Sequence, residues 1–413
     1  MKKVLVLLLS LVLVVGCLAS FAACANNDKY DLTVGAIYIG GQDETTGYTA
    51  AHANGIKKAI ANLETEGYKV NFAVVDNVAE DYNDVAAACD TLAGKGCDII
   101  FGISFGYLNA MDDKAKEYPN VVFSHATGYL SNDTNYNNYF GRIYQARYLS
   151  GIAAGLKSLT IEATESVDPN SIGYVSAWGL EYAETTSGIN AFALGVQSAN
   201  PNATVYVKTI NTWGDTTLEK QGAEYLINTH KCSVISQHCD SAQPQIVAQE
   251  KGVFGCGYNT DMTSDAPQAH LTAPIWNWHV YYQEAMQAVI TDASTYMTTV
   301  GNYYGGLKEN FVDISPLSAN CTDKTAIIIE NVKNLIIAGD WDVFTGEKLS
   351  YNLETGEIVR TSAAIGTLVT AEKEADNFVC GANDKTPDYV ITGTMNTWVA
   401  GVDGPEAVKQ DAE

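Results

Sequence analysis

The sequence predicts an α/β protein built as two doubly wound, parallel-sheet lobes. Three observations predict it. Strand-like runs alternate with helix-like runs from residue 32 to about residue 270, the pattern of βαβ units with right-handed crossovers. A segment of the first half is echoed in the second. TLAGKGCDIIFGISFGY (91–107) and YLINTHKCSVISQHCDS (225–241) both run from a helix end through a Cys and an isoleucine-bearing strand to a polar or aromatic turn. Finally, the 413 residues, less an N-terminal leader, suffice for two domains with sizeable cores.

The elements follow in order. LTVGAIYI (32–39) is a strand by its β-branched and aromatic content. Ile56, Ala59, Ile60 and Leu63 recur at helical spacing after it. VNFAVVD (70–76), CDIIFGIS (97–104), NVVFSHA (120–126) and NYFGRI (138–143) read as strands, with helices at 84–93 and 109–118. The helix YQARYLSGIAAGLKS (144–158) leads into a second set of strands at 172–177, 203–211, 232–238 and 253–258. LTAPIWN (271–277) and FVDISPL (311–317) read as two more strands, and 281–298 and 324–338 as helices. From Phe344 onward the chain is turn-rich, and AEKEADNFVCGANDKTPDYVITG is the least regular part, expected to be partly mobile. The terminal KQDAE is expected to fray.

The amino end is a targeting segment. Lys2 and Lys3 precede an apolar run, Val4 to Val15, interrupted only by Ser10. That run is shorter than the roughly 20 residues a membrane span needs, so it reads as a signal peptide. SFAAC (20–24) places small residues before a Cys in the manner of a bacterial lipobox, making Cys24 the lipidated first residue of the mature chain. VVGC (14–17) fits less well because it lies inside the apolar run. Plain secretion without lipid is the alternative. The whole chain carries a formal charge of −24, and loss of the leader with its two lysines makes this −26. Such a balance excludes nucleic-acid binding, which needs clustered Lys and Arg. Without Cys17 and Cys24, seven of the nine cysteines remain, an odd number with no CxxC. They read as buried thiols, with Cys89 and Cys97 the pair to test for a bridge.

Candidate chemistry concentrates at strand ends. GISFG (102–106) matches the G-x-S-x-G nucleophile pattern after a strand. It lacks an oxyanion segment and its turn is bulky, so Ser104 reads as a strand-end hydroxyl, with a surface hydrolase as the alternative. His230, Cys232, His238, Cys239 and Cys256 lack the spacing of a metal site. No cofactor motif is found. GCGYNT (255–260) departs from the dinucleotide fingerprint at its last position. What remains is a group of rings and polar groups at one edge of the expected sheets: Tyr48, Phe105, Tyr107, His125, Tyr129, Trp213, His238, Asp240, Asp261, Asn277 and Trp278. Flat rings with a few hydrogen-bonding groups suit a flat heterocycle. PIWNWHVYY (274–282) is the densest aromatic stretch among them.

Several long segments together carry a resemblance. SFGYLNAMDDKAKEYPNVVFSHATGY, GINAFALGVQSANP, VKTINTWGDTTLEKQGAEYLI, ISQHCDSAQPQIVAQEKG and YYGGLKE, in this order, resemble the basic membrane protein family of ABC-transporter solute-binding lipoproteins. The likeness runs from about residue 32 to 345. It implies the type I periplasmic-binding-protein fold, hinge closure on a ligand, and no enzyme activity. The implied lobes are 31–143 with 274–305 and 144–273 with 306–345, with hinges near 141–146 and 270–275 and a C-terminal extension, 346–413, packed on them. Residues 1–23 would be the signal peptide and 24–30 a tether. The implied ligand is a purine base, adenine-like, or a purine nucleoside; the implied partners are ABC permease subunits, and the membrane through the lipid anchor only. A monomer on the extracytoplasmic face is expected. A ligand-sensing lipoprotein is the other alternative. Tyr48 and Trp213 fall where the family has aromatics and would sandwich the base, Asp240 and Asp261 match its acidic positions, and Asn277 and Trp278 its N-W pair. Trp276, Tyr281 and Tyr282 would pack instead. The acidic residue that precedes the family's first aromatic is replaced here by QDETT (42–46), leaving Asp43, Glu44 and Thr45 as candidates. The chain past 345 is longer than the family pattern, although MNTWVAGVDG (395–404) resembles its usual ending.

Overall fold

A computed structural model describes residues 29–370 and 377–405. The leader, Cys17, the expected lipid site Cys24 and the terminal KQDAE lie outside the described residues. The chain divides into two compact units. Unit 1 comprises the chain up to Gly41, Ile56–Tyr139 and Tyr282–Asn302; unit 2 comprises Gln42–Gly55, Phe140–Tyr281 and the chain from Tyr303 onward.

The first series of elements is β1 (Leu32–Tyr38), α1 (Gly47–Thr65), β2 (Val70–Val75), α2 (Tyr82–Gly94), β3 (Ile99–Ile103), α3 (Leu108–Glu117), β4 (Val122–Ala126) and β5 (Tyr136–Gly141). Its strands pair in parallel in the order β5-β4-β3-β1-β2. β1, β3 and β4 are buried at every position. Their largely apolar sequences fit a parallel sheet whose two faces are both covered. Helix α2 starts where the Asp81 carboxylate accepts the N–H groups of Asn83 and Asp84.

The second series is α4 (Ile143–Ser158), β6 (Asp168–Ser176), α5 (Ala183–Ala199), β7 (Thr204–Thr209), α6 (Thr216–His230), β8 (Cys232–Gln237), α7 (Gln243–Glu250), β9 (Phe254–Cys256) and β10 (His270–Thr272). β11 (Pro274–Trp276), α8 (Trp278–Asp292), β12 (Tyr303–Gly305), β13 (Val312–Ile314) and α9 (Thr325–Ala338) follow. The chain then forms β14 (Glu347–Tyr351), β15 (Ile358–Ser362), β16 (Gly366–Val369), β17 (Phe378–Cys380) and β18 (Val402–Asp403). The sheet of unit 2 is parallel in the order β10-β9-β8-β6-β7-β18.

Three departures from the sequence reading have physical causes. LTAPIWN does not form one strand. It breaks after β10, and β11 pairs antiparallel with β13. Pro274, which has no N–H to give a ladder, begins β11. The helix expected at 281–298 instead runs from Trp278 to Asp292, whose carboxylate turns to accept Ser294 N–H at 3.0 Å. The described part of the turn-rich tail forms two antiparallel pairs, β14–β15 and β16–β17, and then β18, which pairs along the outer strand β7. All seven described cysteines are free thiols, so Cys89 and Cys97 are not bridged. Both lie in the unit 1 core, and burial pushes each thiol up to about 12.

Helices α4 and α5 pack face to face and are almost wholly buried. Their backbones touch through glycine. A Cβ on Gly151 would stand 2.2 Å from the Phe192 carbonyl oxygen, and one on Gly195 would stand 2.1 Å from the Tyr148 carbonyl oxygen. Gly151→Ala should therefore force the helices apart and destabilise unit 2 by roughly 1–3 kcal/mol. Urea unfolding of the variant against the parent checks this; an unchanged midpoint would mean that the contact yields freely.

Candidate functional site

In unit 1 the chain leaves β3 at Ser104 and turns through Phe105–Tyr107. The Ser104 hydroxyl donates to the Glu80 carboxylate, which also accepts the Gly106 N–H at 2.8 Å. His125, at the end of β4, sets its Nε2 2.7 Å from the Ser104 carbonyl oxygen. A carbonyl only accepts, so Nε2 carries the proton, and burial pushes the ring pKa down to about 4. Serine and histidine thus meet through the backbone, and the hydroxyl–imidazole pair of a nucleophilic serine is not formed. Tyr107 is enclosed in the core and donates to the Val78 carbonyl at 2.6 Å. Phe105 and Tyr129 are the open rings of this edge, 49 % and 71 % exposed, with centroids 6.4 Å apart.

In unit 2 the carboxyl ends of β6, β8 and β9 bring the second group together. The Ser176 hydroxyl donates to the Trp178 carbonyl oxygen, which leaves its lone pairs for His238 Nε2–H at 3.2 Å. His238 is buried and uncharged, its pKa held well below the usual value by burial and then by the Arg147 charge. Trp213 lies beside it at 5.7 Å between centroids and is 44 % exposed, an open ring next to a fixed one. The backbone N–H of Asp240 donates to the Trp213 carbonyl at 3.0 Å, so the loop that carries the ring is tied to the end of β8.

Asp240 is the junction of this group. Its carboxylate accepts Asn259 Nδ2–H at 3.0 Å and the backbone N–H of Tyr48. Tyr48 is in the first turn of α1, so Asp240 serves that helix as an N-terminal cap supplied from a distant strand. Gly47 makes the approach feasible. Its φ is +82°, and a Cβ there would stand 3.1 Å from the Asp240 Cβ. Burial raises the Asp240 carboxyl to about 7, with the Glu219 and Glu44 charges adding to the rise. Glu219 is itself held by Ser241 Oγ at 2.5 Å, Ser241 N at 3.0 Å and Asp215 N at 3.1 Å. Among Asp43, Glu44 and Thr45, Glu44 is the residue whose charge reaches Asp240.

PIWNWHVYY supplies a ring ladder. Trp276 stacks on Trp278 at 4.5 Å, Trp278 on His52 at 3.8 Å, and His52 meets Tyr48 edge-on at 4.3 Å. Trp278 is 1 % exposed. Trp276, expected to pack, and Trp278, expected to face the ligand, are both enclosed, and the ladder they begin runs through His52 to Tyr48. Asn277 is spent on Asn310, whose carbonyl accepts its Nδ2–H at 3.0 Å. Asp261 closes its own turn, accepting Thr263 N–H at 3.0 Å and Thr263 Oγ–H at 2.6 Å. The expected residues therefore separate. Tyr48, Trp213, His238 and Asp240 converge in unit 2, Phe105 stands open at the unit 1 sheet edge, and Tyr107, His125 and Trp278 are enclosed. Asn259, Glu219, His52 and Gly47 complete the unit 2 group and were missed. Only Gly47 and Asn259 left a trace in the sequence, as turn-forming residues beside Tyr48 and Asp261.

The family described as ABC transporter substrate-binding protein, PnrA-like, matches residues 33–343. A purine-binding protein of Brucella abortus (strain 2308) is 32% identical over 372 residues, which is 90% of this chain and 93% of that protein. A Haloferax volcanii protein described as an ABC transporter glucose-binding protein is 32% identical over 277 residues, 66% of each chain. Solved structures of similar fold include an ABC transporter solute-binding protein from Conexibacter woesei DSM 14684, with TM-score 0.59, 16% identity, and 75% of this chain and 98% of that one covered. One from Aeropyrum pernix K1 gives TM-score 0.60, 15% identity, and 79% and 95% covered.

The Asp240 environment has a pH signature. Its carboxyl rises from 3.8 to about 7 on folding, so the folded chain holds this proton more tightly than the unfolded chain. The resulting stability is present at low pH and is lost as pH rises through about 7. In the ligand-free chain, Asp240→Asn should gain in melting temperature relative to the parent between pH 5 and pH 8. Thermal melts of both proteins decide it; a pH-independent difference would mean that the carboxyl titrates normally.

Proposed function

Because the chain belongs to the PnrA-like family of ABC transporter substrate-binding proteins, we propose that it captures a purine base or purine nucleoside and hands it to a membrane permease. The observation that carries the ligand class is the open Trp213 ring, whose loop is tied to Asp240 by the Asp240 N–H at 3.0 Å. A flat base stacks on an indole, which contributes roughly 1–3 kcal/mol per base. A carboxylate with two N–H partners keeps room for a further donor, such as a ring N–H or an amino group of that base. The Brucella abortus relative, similar over nine-tenths of this chain, is named as purine-binding. The chain's formal charge of −24 favours a neutral ligand over a nucleotide.

The activity is binding and delivery, with no chemical step. A substrate-binding protein of an ABC importer works on the extracytoplasmic side, and no helix among the described residues is long and apolar enough to cross a membrane. Attachment through a lipid on Cys24, and a monomeric state, complete the reading. Cys24→Ser should move the protein from the membrane fraction to the medium.

Isothermal titration of residues 27–413 with adenine, hypoxanthine, guanine, adenosine, guanosine and glucose tests the ligand class. Tight binding of at least one purine is expected, and Trp213→Ala should weaken it by roughly 1–3 kcal/mol. Binding of glucose alone, or of none of the six, would overturn the purine assignment.

A further inference from the structure

Two of the five junctions between the units are Tyr139/Phe140 and Asn302/Tyr303. Arg142 lies just beyond the former, and Tyr304 and Gly305 just beyond the latter. Arg142 binds the two segments together. Its backbone N–H donates to the Gly305 carbonyl at 2.7 Å, and its Nη1–H to the Tyr304 carbonyl at 2.6 Å. Its guanidinium also lies over the Tyr304 ring, 4.8 Å from the centroid.

The remaining end of the guanidinium is held from elsewhere. Nη2 stands 2.7 Å from Asp388 Oδ2. Asp388 belongs to the C-terminal segment, beyond the 33–343 span that the family matches. That segment is anchored independently. Asn190 on α5 donates to the Thr397 carbonyl at 2.8 Å and accepts the Val399 N–H at 3.0 Å, while β18 pairs along β7. Beside the ion pair is a cleft of about 500 Å³ lined by Arg142, Gln145, Lys308, Asp342, Lys385 and Asp388, among others. Gln145 on the same turn donates to Asp342 and accepts the Leu307 N–H at 2.9 Å.

We propose that Asp388 is a positioning residue for ligand capture: acting through Arg142, it fixes the backbone of these two of the crossing segments, so the C-terminal extension sets how readily the bound ligand is released. Release by hinge motion requires a few element-terminal residues to absorb a change in backbone angle. Arg142, Tyr304 and Gly305 are such residues, and the ion pair resists that change. Arg142 and Asp388 are 25% and 51% exposed, so salt reaches the pair. An ordinary surface ion pair would leave ligand kinetics untouched.

The proposal rests on the binding reading above, and its test separates the two. Dissociation rates of adenine, hypoxanthine and guanosine from residues 27–413 are measured by stopped-flow Trp fluorescence, at low salt and at 1 M salt. Asp388→Asn should speed dissociation by about two- to five-fold, the span of an exposed pair, with an unchanged melting temperature. Asp388→Glu should restore the parent rate. High salt should speed the parent to the variant's rate and leave the variant unaffected. Arg142→Lys combined with Asp388→Asn should be no faster than the more affected single variant. Parent and Asp388→Asn rates that agree at both salt concentrations would overturn the proposal, as would additive effects in the double variant. If no purine binds, the proposed function fails by itself. Hydrogen exchange at the Arg142 amide then still decides the brace: faster exchange in Asp388→Asn supports it and equal exchange overturns it.

Discussion

The carboxylate of Asp240 closes a ring of contacts on which the candidate site depends. It stands just past the end of β8, accepts from Asn259 beyond β9, and caps the first turn of α1 through Tyr48 N–H. Its own backbone N–H holds the Trp213 loop. Four separate segments are thus fixed by one side chain and its peptide. The arrangement is electrostatically expensive, because Glu219 and Glu44 add negative charge to a half-buried carboxylate. A helix amino end and an amide donor offset part of that repulsion. A ligand that brings another donor would offset more, and this gives a physical reason for the site to want one.

The rest of unit 2 can be understood as support for this junction. The parallel sheet aims the ends of β6, β8 and β9 at one region, as open α/β sheets do. Arg147 fastens the end of β8 from behind, donating to the Gln237 carbonyl at 3.1 Å and the Tyr174 hydroxyl at 2.6 Å. The close approach of α4 and α5 places that arginine, since Gly188 leaves room for its side chain. The ladder Trp276–Trp278–His52 fills the space behind Tyr48. Rigid rings behind one half-buried ring make a preorganised surface rather than a yielding one, which lowers the ordering cost of binding.

The C-terminal extension changes the character of the molecule. It covers the open edge of β7 with β18, removing an exposed ladder of the kind that invites aggregation. It also reaches back to Arg142 beside the chain crossings. A segment beyond the span that the family matches is therefore built into the sheet edge and reaches the segment at Arg142.

The sequence by itself determined the fold class, the order of most elements and the family. These rest on signals that are local and repeated: apolar runs four to eight residues long, helical spacing, and long motifs in a fixed order. It also singled out Tyr48, Trp213, His238 and Asp240, because strand-end position in a βαβ chain follows from local pattern. Only the tertiary structure decided which of those residues stay open and which are enclosed. Trp278 and Trp276 are both enclosed, Trp278 against His52, more than 200 positions away. The same holds for the assignment of Gln42–Gly55 to unit 2, for the split of LTAPIWN, and for the Arg142–Asp388 pair. Each depends on a partner that is distant in sequence, and a single chain read in one dimension carries no record of that distance.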